Sequence, residues 1–242
     1  MERLYPEVRA GGFTRVDGTV EFYQRVRALL APGMTVLDFG AGRGAFLDDA
    51  IAFRRDLRDL RGLAGEVIGV DVDAAVEGNR SLDRALVVAE GEPMPLPDAS
   101  VDVVVSDFTF EHVADPAAAA RELDRVLRAG GWICARTPNR HGYIGIGARL
   151  VPNRLHAHAL RRLQPTKRHE DTFPTHYRLN TRKAIEEHFP PTRYEHVVYA
   201  MDNEPSYVGS SWLAWRVAHA AFRLTPERFR SMLYVFLRKL PA

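Results

Sequence analysis

Between residues 33 and 138, short apolar runs alternate with amphipathic stretches. The runs predict strands at 36–39, 67–71, 85–89, 101–106 and 132–137, with helices at 44–53, 74–83 and 116–129. A half-exposed strand alternates apolar and polar residues. These runs are apolar at nearly every position, so both faces of their sheet must be covered. Leu123, Val126 and Leu127 mark one face of the 116–129 helix, and Gly130-Gly131 ends it. The expected class is α/β, a doubly wound and mostly parallel sheet with helices on both faces.

The pattern changes after Pro138. Residues 139–176 are basic, with an amphipathic helix expected at 153–163. Asn180-Thr181 caps a helix reaching about His188, and 194–199 reads as a sixth strand. From about Ser210 the chain reads as helical to its end. Thr225-Pro226-Glu227 is a good helix start, followed by a stripe of Phe229, Met232, Leu233, Phe236, Leu237 and Leu240. The organisation is therefore a cap segment at 1–32, a ligand-binding core at 33–138, a basic lid or substrate insertion at 139–176, the end of the core sheet at 177–204, and a helical extension at 205–242, all within one domain.

Charge sharpens this division. Residues 1–138 hold 16 basic and 23 acidic side chains, whereas 139–242 hold 17 basic and 8 acidic. An anionic partner therefore belongs with the second part. The single cysteine, Cys134, excludes an internal disulfide and reads as buried apolar filler in a core strand. The N-terminus lacks the apolar run of a signal peptide, and no stretch reaches the ~20 apolar residues that span a bilayer. A cytoplasmic location is expected, extending to the inner membrane surface if the C-terminal stripe lies on lipid.

The chemistry gathers at the end of the first strand. Gly40, Gly42 and Gly44 follow it at a spacing that lets a ligand lie against the backbone. Because 40–45 also satisfies G-x-G-x-x-A, the glycines alone do not choose between cofactors. Asp38, just ahead of them, disfavours a pyrophosphate and suits the ammonium of an amino acid. Asp71 ends the second strand, where a carboxylate can accept from both hydroxyls of a ribose. Glu90-Gly91 follows the third, offering an acceptor and a backbone N–H to an adenine.

These segments resemble the class I S-adenosylmethionine-dependent methyltransferases, close to the branch of ubiquinone- and menaquinone-biosynthesis-type (type 11) enzymes. VLDFGAGRG (36–44) is similar to the family's first motif, and VIGVDVD (67–73) to its second-strand acidic motif. EGEPMPLPDASVD (90–102) resembles the adenine loop, SDFTFEHV (106–113) the segment after the fourth strand, and RVLRAGG (125–131) the turn into the fifth. The resemblance covers about 30–140 and implies a Rossmann-like core that binds S-adenosyl-L-methionine and releases S-adenosyl-L-homocysteine. It implies that Asp38 and Gly40, with Ala41, Gly42 and Gly44, hold the methionine portion, and that Asp71 holds the ribose. Val72 would pack on the adenine, Glu90 and Gly91 would meet its edge, and Ser106, Asp107 and Phe108 would line the sulfonium side. The family's usual residue at Glu90 is aspartate, so this contact is made by a longer side chain.

Methyl transfer needs alignment of a nucleophile and exclusion of water, and a hydroxyl acceptor adds a use for a general base. His112 is the first candidate base, and His176 and Tyr177 are the second. Oxygen of a small-molecule, glycan or lipid-linked acceptor is the expected target. LVPNRL (150–155) resembles methyltransferases associated with bacterial surface-glycan synthesis, and the arginines of 139–176 suit an anionic acceptor. His156, His158 and His169 lack a recognised ligand spacing, so no metal is expected. Nucleic acid is not expected as a partner, and a homodimer is left open. Two other readings stand: an NAD(P)-dependent oxidoreductase, and a binding protein that keeps the pocket without catalysis.

Overall fold

The computed structural model describes residues 2, 5–142, 174–204 and 212–241. Seven strands form one sheet in the order β3-β2-β1-β4-β5-β7-β6. They are β1 (Thr35–Phe39), β2 (Glu66–Asp71), β3 (Arg84–Val87), β4 (Val101–Asp107), β5 (Leu127–Pro138), β6 (Tyr194–Met201) and β7 (Met232–Lys239). The first five are parallel, and β7 lies antiparallel between β5 and β6. The strand order reverses between β1 and β4. The crevice outside the carboxyl ends of these strands is where such sheets take ligands.

Helices cover both faces, as the unbroken apolar runs require. On one face α1 (Gly18–Leu29) and α2 (Ala52–Arg58) pack Phe22, Tyr23, Val26 and Leu57 against Val36, Val67, Val103 and Cys134. On the other, α3 (Pro116–Val126) and α4 (Arg182–His188) pack Leu123, Val126 and Ile185 against Leu37, Ile68, Val104 and Ile133. α1 begins where the Asp17 carboxylate accepts from the backbone N–H of Thr19 and Val20. α3 begins with Asp115 as cap and Pro116 in its first turn. A fifth helix, α5, spans Trp212–Leu224.

The chain is not helical to its end. Glu227–Phe229 make one 3-10 turn, and the expected C-terminal helix is strand β7. Four residues of the helical stripe, Met232, Leu233, Phe236 and Leu237, lie in an unbroken apolar run, 232–237, that satisfies either period. In the sheet the run divides by alternation. Leu233, Val235 and Leu237 enter one core, while Met232, Tyr234 and Phe236 enter the other. The run is therefore spent inside the protein and is not a membrane-facing stripe. Its basic neighbours have structural partners: Arg238 lies over the Trp132 ring, and Lys239 donates to the carbonyls of Asp124 and Leu127 that end α3. No helix among the described residues is long and apolar enough to cross a membrane.

Three other helices are shorter than expected: the 116–129 helix ends at Val126, where β5 begins, so Gly130-Gly131 lie inside the strand. The 44–53 segment is a 3-10 turn, Ala45–Asp48, because the Asp49 carboxylate accepts from Ile51 N and from Arg54 and starts α2 afresh at Ala52. The 74–83 segment keeps only the 3-10 turn Ala74–Gly78 before Asn79 turns inward. The helix expected at 153–163, the arginines at 149, 154, 161, 162 and 168, and His156, His158, His169, Glu170 and Asp171 lie outside the described residues.

Candidate active site

The glycine loop leaves β1 in a conformation that only glycine adopts easily, with φ of +81° at Gly40, +53° at Gly42 and +73° at Gly44. Gly40 N and Ala41 N both donate to Val70 O, at 2.8 and 3.2 Å, so the loop stays tied to β2. A Cβ at Gly40 would collide with the Thr109 side chain, whereas one at Gly42 would meet open space. Two polar side chains hold the loop. Asp71 accepts from Gly42 N at 2.8 Å and from Asp73 N at 2.9 Å. Buried Asn79 donates to the carbonyls of Ala41 and Gly42 at 3.2 and 3.1 Å, and is itself held by the Ser81 N–H and hydroxyl.

Beside the loop lies a buried charged cluster. Asp107, at the end of β4, takes two parallel hydrogen bonds from Arg136 of β5, at 2.7 and 2.8 Å. Arg58 Nη2 adds a third at 3.2 Å, and the Tyr23 hydroxyl of α1 stands 3.3 Å away. Arg136 also donates to Thr19 Oγ1, which seats α1 over the strand ends. Burial by itself would raise the Asp107 carboxyl, but the Arg136 and Arg58 charges outweigh it and hold it below its ordinary value. Asp38 has no such clamp. Burial first, and then the Asp107 charge, push its carboxyl up to about 7, with Arg58 offsetting part of the rise.

Apolar side chains face outward around this cluster. Val72 is 55 % exposed next to Asp71, and Phe108 is 41 % exposed at the end of β4. Phe108 adopts φ +60°, its N–H donating to Arg136 O at 2.9 Å while the Arg136 guanidinium covers its ring at 4.7 Å. Ser106, fully buried on β4, has an Oγ without a hydrogen-bond partner. Glu90 accepts from Ala114 N at 3.2 Å, which ties the loop after β3, with Gly91 at φ +84°, to the segment after β4.

His112 lies on that same segment, and the backbone of His176 and Tyr177 docks beside it. His112 Nδ1 lies 2.7 Å from Pro174 O. A carbonyl only accepts, so this contact places a proton on Nδ1. His176 N and Tyr177 N donate to Glu111 O at 2.7 and 3.1 Å. Glu111 is buried and accepts from Thr137 Oγ1, to which Asn180 also donates. Among the described residues no three His, Cys, Asp or Glu side chains are grouped to hold a metal.

The family of methyltransferase domains matches this chain over residues 37–135. A Mycobacterium tuberculosis (strain CDC 1551 / Oshkosh) protein named as a "probable S-adenosylmethionine-dependent methyltransferase" is 41 % identical over 124 residues, 49 % of this chain and 42 % of its own. The demethylmenaquinone methyltransferase of Roseiflexus sp. (strain RS-1) is 33 % identical over 146 residues, 55 % of this chain and 58 % of its own. Residues 37–135 are therefore similar to a methyltransferase domain, and the relative with the higher identity is named as S-adenosylmethionine-dependent.

A solved S-adenosylmethionine-dependent methyltransferase from Mesorhizobium loti has the same fold at a TM-score of 0.57 and 16 % identity, covering 91 % of this chain and 98 % of that one. The matched part of this chain spans about half the length of the curated relatives, and it falls on the sheet and loops that form the site. Within the methyltransferase domain, Asp38, the glycine loop, Asp71 and Val72 adjoin one another at the carboxyl ends of β1 and β2. The chemistry present fits the family's cofactor: a cradle at Gly42 open to a ligand, a carboxyl beside it, an exposed valine, and a buried Arg58 Nε with no acceptor.

Sequence reasoning missed Arg58, Arg136 and Asn79. Arg58 sits in an arginine-rich stretch that reads as solvated surface, and Arg136 in a run that reads as plain core strand. Asn79 carried one usable signal, its place beside Gly78 where a helix was expected to continue.

Proposed function

We propose that this chain transfers a methyl group from S-adenosylmethionine to an oxygen of a small-molecule, glycan or lipid-linked acceptor. The observation that carries the reading is the left-handed glycine loop at the β1–β4 switch point with the Asp38 carboxyl beside it. In this assignment Asp38 and residues 40–44 hold the methionine portion, Asp71 the ribose, Glu90 and Gly91 the adenine edge, and Val72 an adenine face. Ser106 and Phe108 line the sulfonium side. Asp107, gripped by two arginines, positions that wall and does not act on the acceptor.

When bound, S-adenosylmethionine supplies an electrophilic methyl group and departs as S-adenosylhomocysteine. The protein's part is alignment and exclusion of water. His112 is assigned as the base that receives the acceptor proton, its ring held by the Nδ1 contact to Pro174 O. His176 and Tyr177, docked on Glu111, are assigned to the acceptor side of the same wall. The basic 139–176 segment selects an anionic acceptor.

Isothermal titration separates the cofactor classes: S-adenosylhomocysteine should bind and NAD should not. The opposite result would turn the assignment to an oxidoreductase. Incubation with radiolabelled S-adenosylmethionine and separated lipid, glycan, RNA and protein fractions then tests the acceptor. Label is expected in the lipid or glycan fraction, or in small molecules. Label confined to RNA or protein overturns the acceptor class, and binding without label in any fraction favours a non-catalytic protein.

A further inference from the structure

The C-terminal stripe is spent inside the sheet as β7, but an amphipathic surface stands one element earlier, on α5. The inner side of this helix is anchored. Trp215 is buried, and its ring meets that of buried Tyr5 edge-on at 6.5 Å. Phe222, seven residues on and on the same side, is half-buried. Arg216, Val217, Ala220, Arg223 and Leu224 are all exposed, and at 3.6 residues per turn they share the opposite side. Val217 is 62 % exposed and Leu224 85 %. Seven residues apart, these two make an apolar row, and Arg216 and Arg223 make a basic row beside it. Just beyond the helix the same pairing recurs, with the Arg228 guanidinium over the exposed Phe229 ring at 4.7 Å.

Charge identifies the occupant. From Pro205 to Pro226 the chain has no acidic residue. The carboxylates on either side are engaged with the protein: Glu204 accepts from the Thr14 hydroxyl, and Glu227 accepts from Arg182 and from Ala200 N. The exposed face is therefore cationic and apolar at once. A nucleic acid would use the arginines and leave Val217 and Leu224 in water. An apolar groove on a protein would take the aliphatic row but strip water from two guanidinium groups without pairing them. The boundary of an anionic bilayer serves both rows, acyl chains meeting the aliphatic side chains and headgroup phosphates the arginines.

We propose that the outer face of α5 docks this protein on an anionic lipid surface. Val217 and Leu224 enter the acyl boundary, and Arg216 and Arg223 lie on headgroup phosphates. This goes beyond the methyl-transfer assignment and is independent of the cofactor.

Co-sedimentation of the full chain tests it, with vesicles of phosphatidylcholine alone and of phosphatidylcholine mixed with phosphatidylglycerol. Binding is expected only to the mixed vesicles, and it should fall as salt is raised. Val217→Ser with Leu224→Ser should weaken it about 10-fold or more by removing the apolar row. Arg223→Ser should weaken it about fivefold by removing one headgroup contact. All three side chains are exposed, so both variants should keep the wild-type urea midpoint. A second measurement reports contact directly. Ala220→Cys can carry an environment-sensitive fluorophore, because Cys134 is fully buried and out of its reach. Its emission should shift to the blue on the mixed vesicles. Binding without that shift, or binding undiminished by the paired serine changes, assigns the lipid contact to another part of the chain and overturns the proposal. So does failure of the wild-type protein to bind the mixed vesicles. Self-association abolished by the serine changes, in place of vesicle binding, would give this face to a second copy.

Discussion

Asp107 and Arg136 are register partners on adjacent parallel strands, and their side chains close a two-bond fork at the sheet's carboxyl edge. Their side chains are 6 % and 3 % exposed, so the pair is one of removed solvent as much as of attraction. Asp107→Asn leaves Arg136 buried with its charge uncompensated. A loss of about 3–5 kcal/mol in urea unfolding is expected. The double change Asp107→Leu with Arg136→Met should recover more than half of it, because two buried charges leave together. A single-variant loss below about 1 kcal/mol would show that the fork carries little of the fold.

Asp38 gives the fold a pH dependence of known sign. Its carboxyl rises from 3.8 to about 7 on folding, so the folded state holds a proton that the unfolded chain has released. This favours the fold at acid pH, and the advantage is lost as pH rises from about 4 to 7. Asp38→Asn removes the dependence. The variant should gain stability relative to the wild-type protein across that window and then hold a constant margin, measured as the difference in urea midpoints. A margin that does not change with pH would mean that the carboxyl is not raised.

Gly40 and Gly42 separate backbone strain from crowding. Alanine at Gly42 meets only the left-handed backbone penalty, about 1–2 kcal/mol. At Gly40 the same penalty is joined by overlap with Thr109, so the loss should be roughly twice as large or more. Adding Thr109→Ala should return part of the Gly40→Ala loss and none of the Gly42→Ala loss. Thermal unfolding of the four variants measures this.

Asn79 is expected to act on ligand affinity through the loop alone. Asn79→Ala strands the Ala41 and Gly42 carbonyls and the Ser81 hydroxyl, at about 1–3 kcal/mol of stability. Binding of S-adenosylhomocysteine should weaken as the loop loosens. Unchanged affinity in titration would show that the loop keeps its shape without this side chain.

The placement of β7 is tested by proline. Val235 pairs with Ala135 on one side and Val198 on the other, so Val235→Pro breaks a ladder inside the sheet. The expected outcome is loss of cooperative unfolding and no folded protein by circular dichroism. A folded variant that merely lost affinity for anionic vesicles would point back to a surface helix.

The parts of this protein that rest on local pattern were legible in the chain. Val36–Leu37, Val67–Val70 and Val103–Val105 announce buried parallel strands because consecutive apolar residues need cover on both faces. Gly40, Gly42, Gly44 and Asp38 announce a site because their backbone freedom and charge are properties of the residues themselves. What the chain left undecided depends on neighbours distant in sequence. The 232–237 run satisfied both periods, and only the open slot between β5 and β6, with a core on each face, made it a strand.

The site divides in the same way. The amino-acid sequence by itself determined the sheet's parallel half, the turn that opens it to a ligand, and the acidic residue beside that turn. The tertiary structure alone brought Arg58 from the end of α2, Tyr23 from α1 and Arg136 from β5 around Asp107, and so decided which charges are spent and which are left over. A side chain's partner is set by where the folded backbone carries it, and for a charge the partner decides whether it is scaffold or binding group.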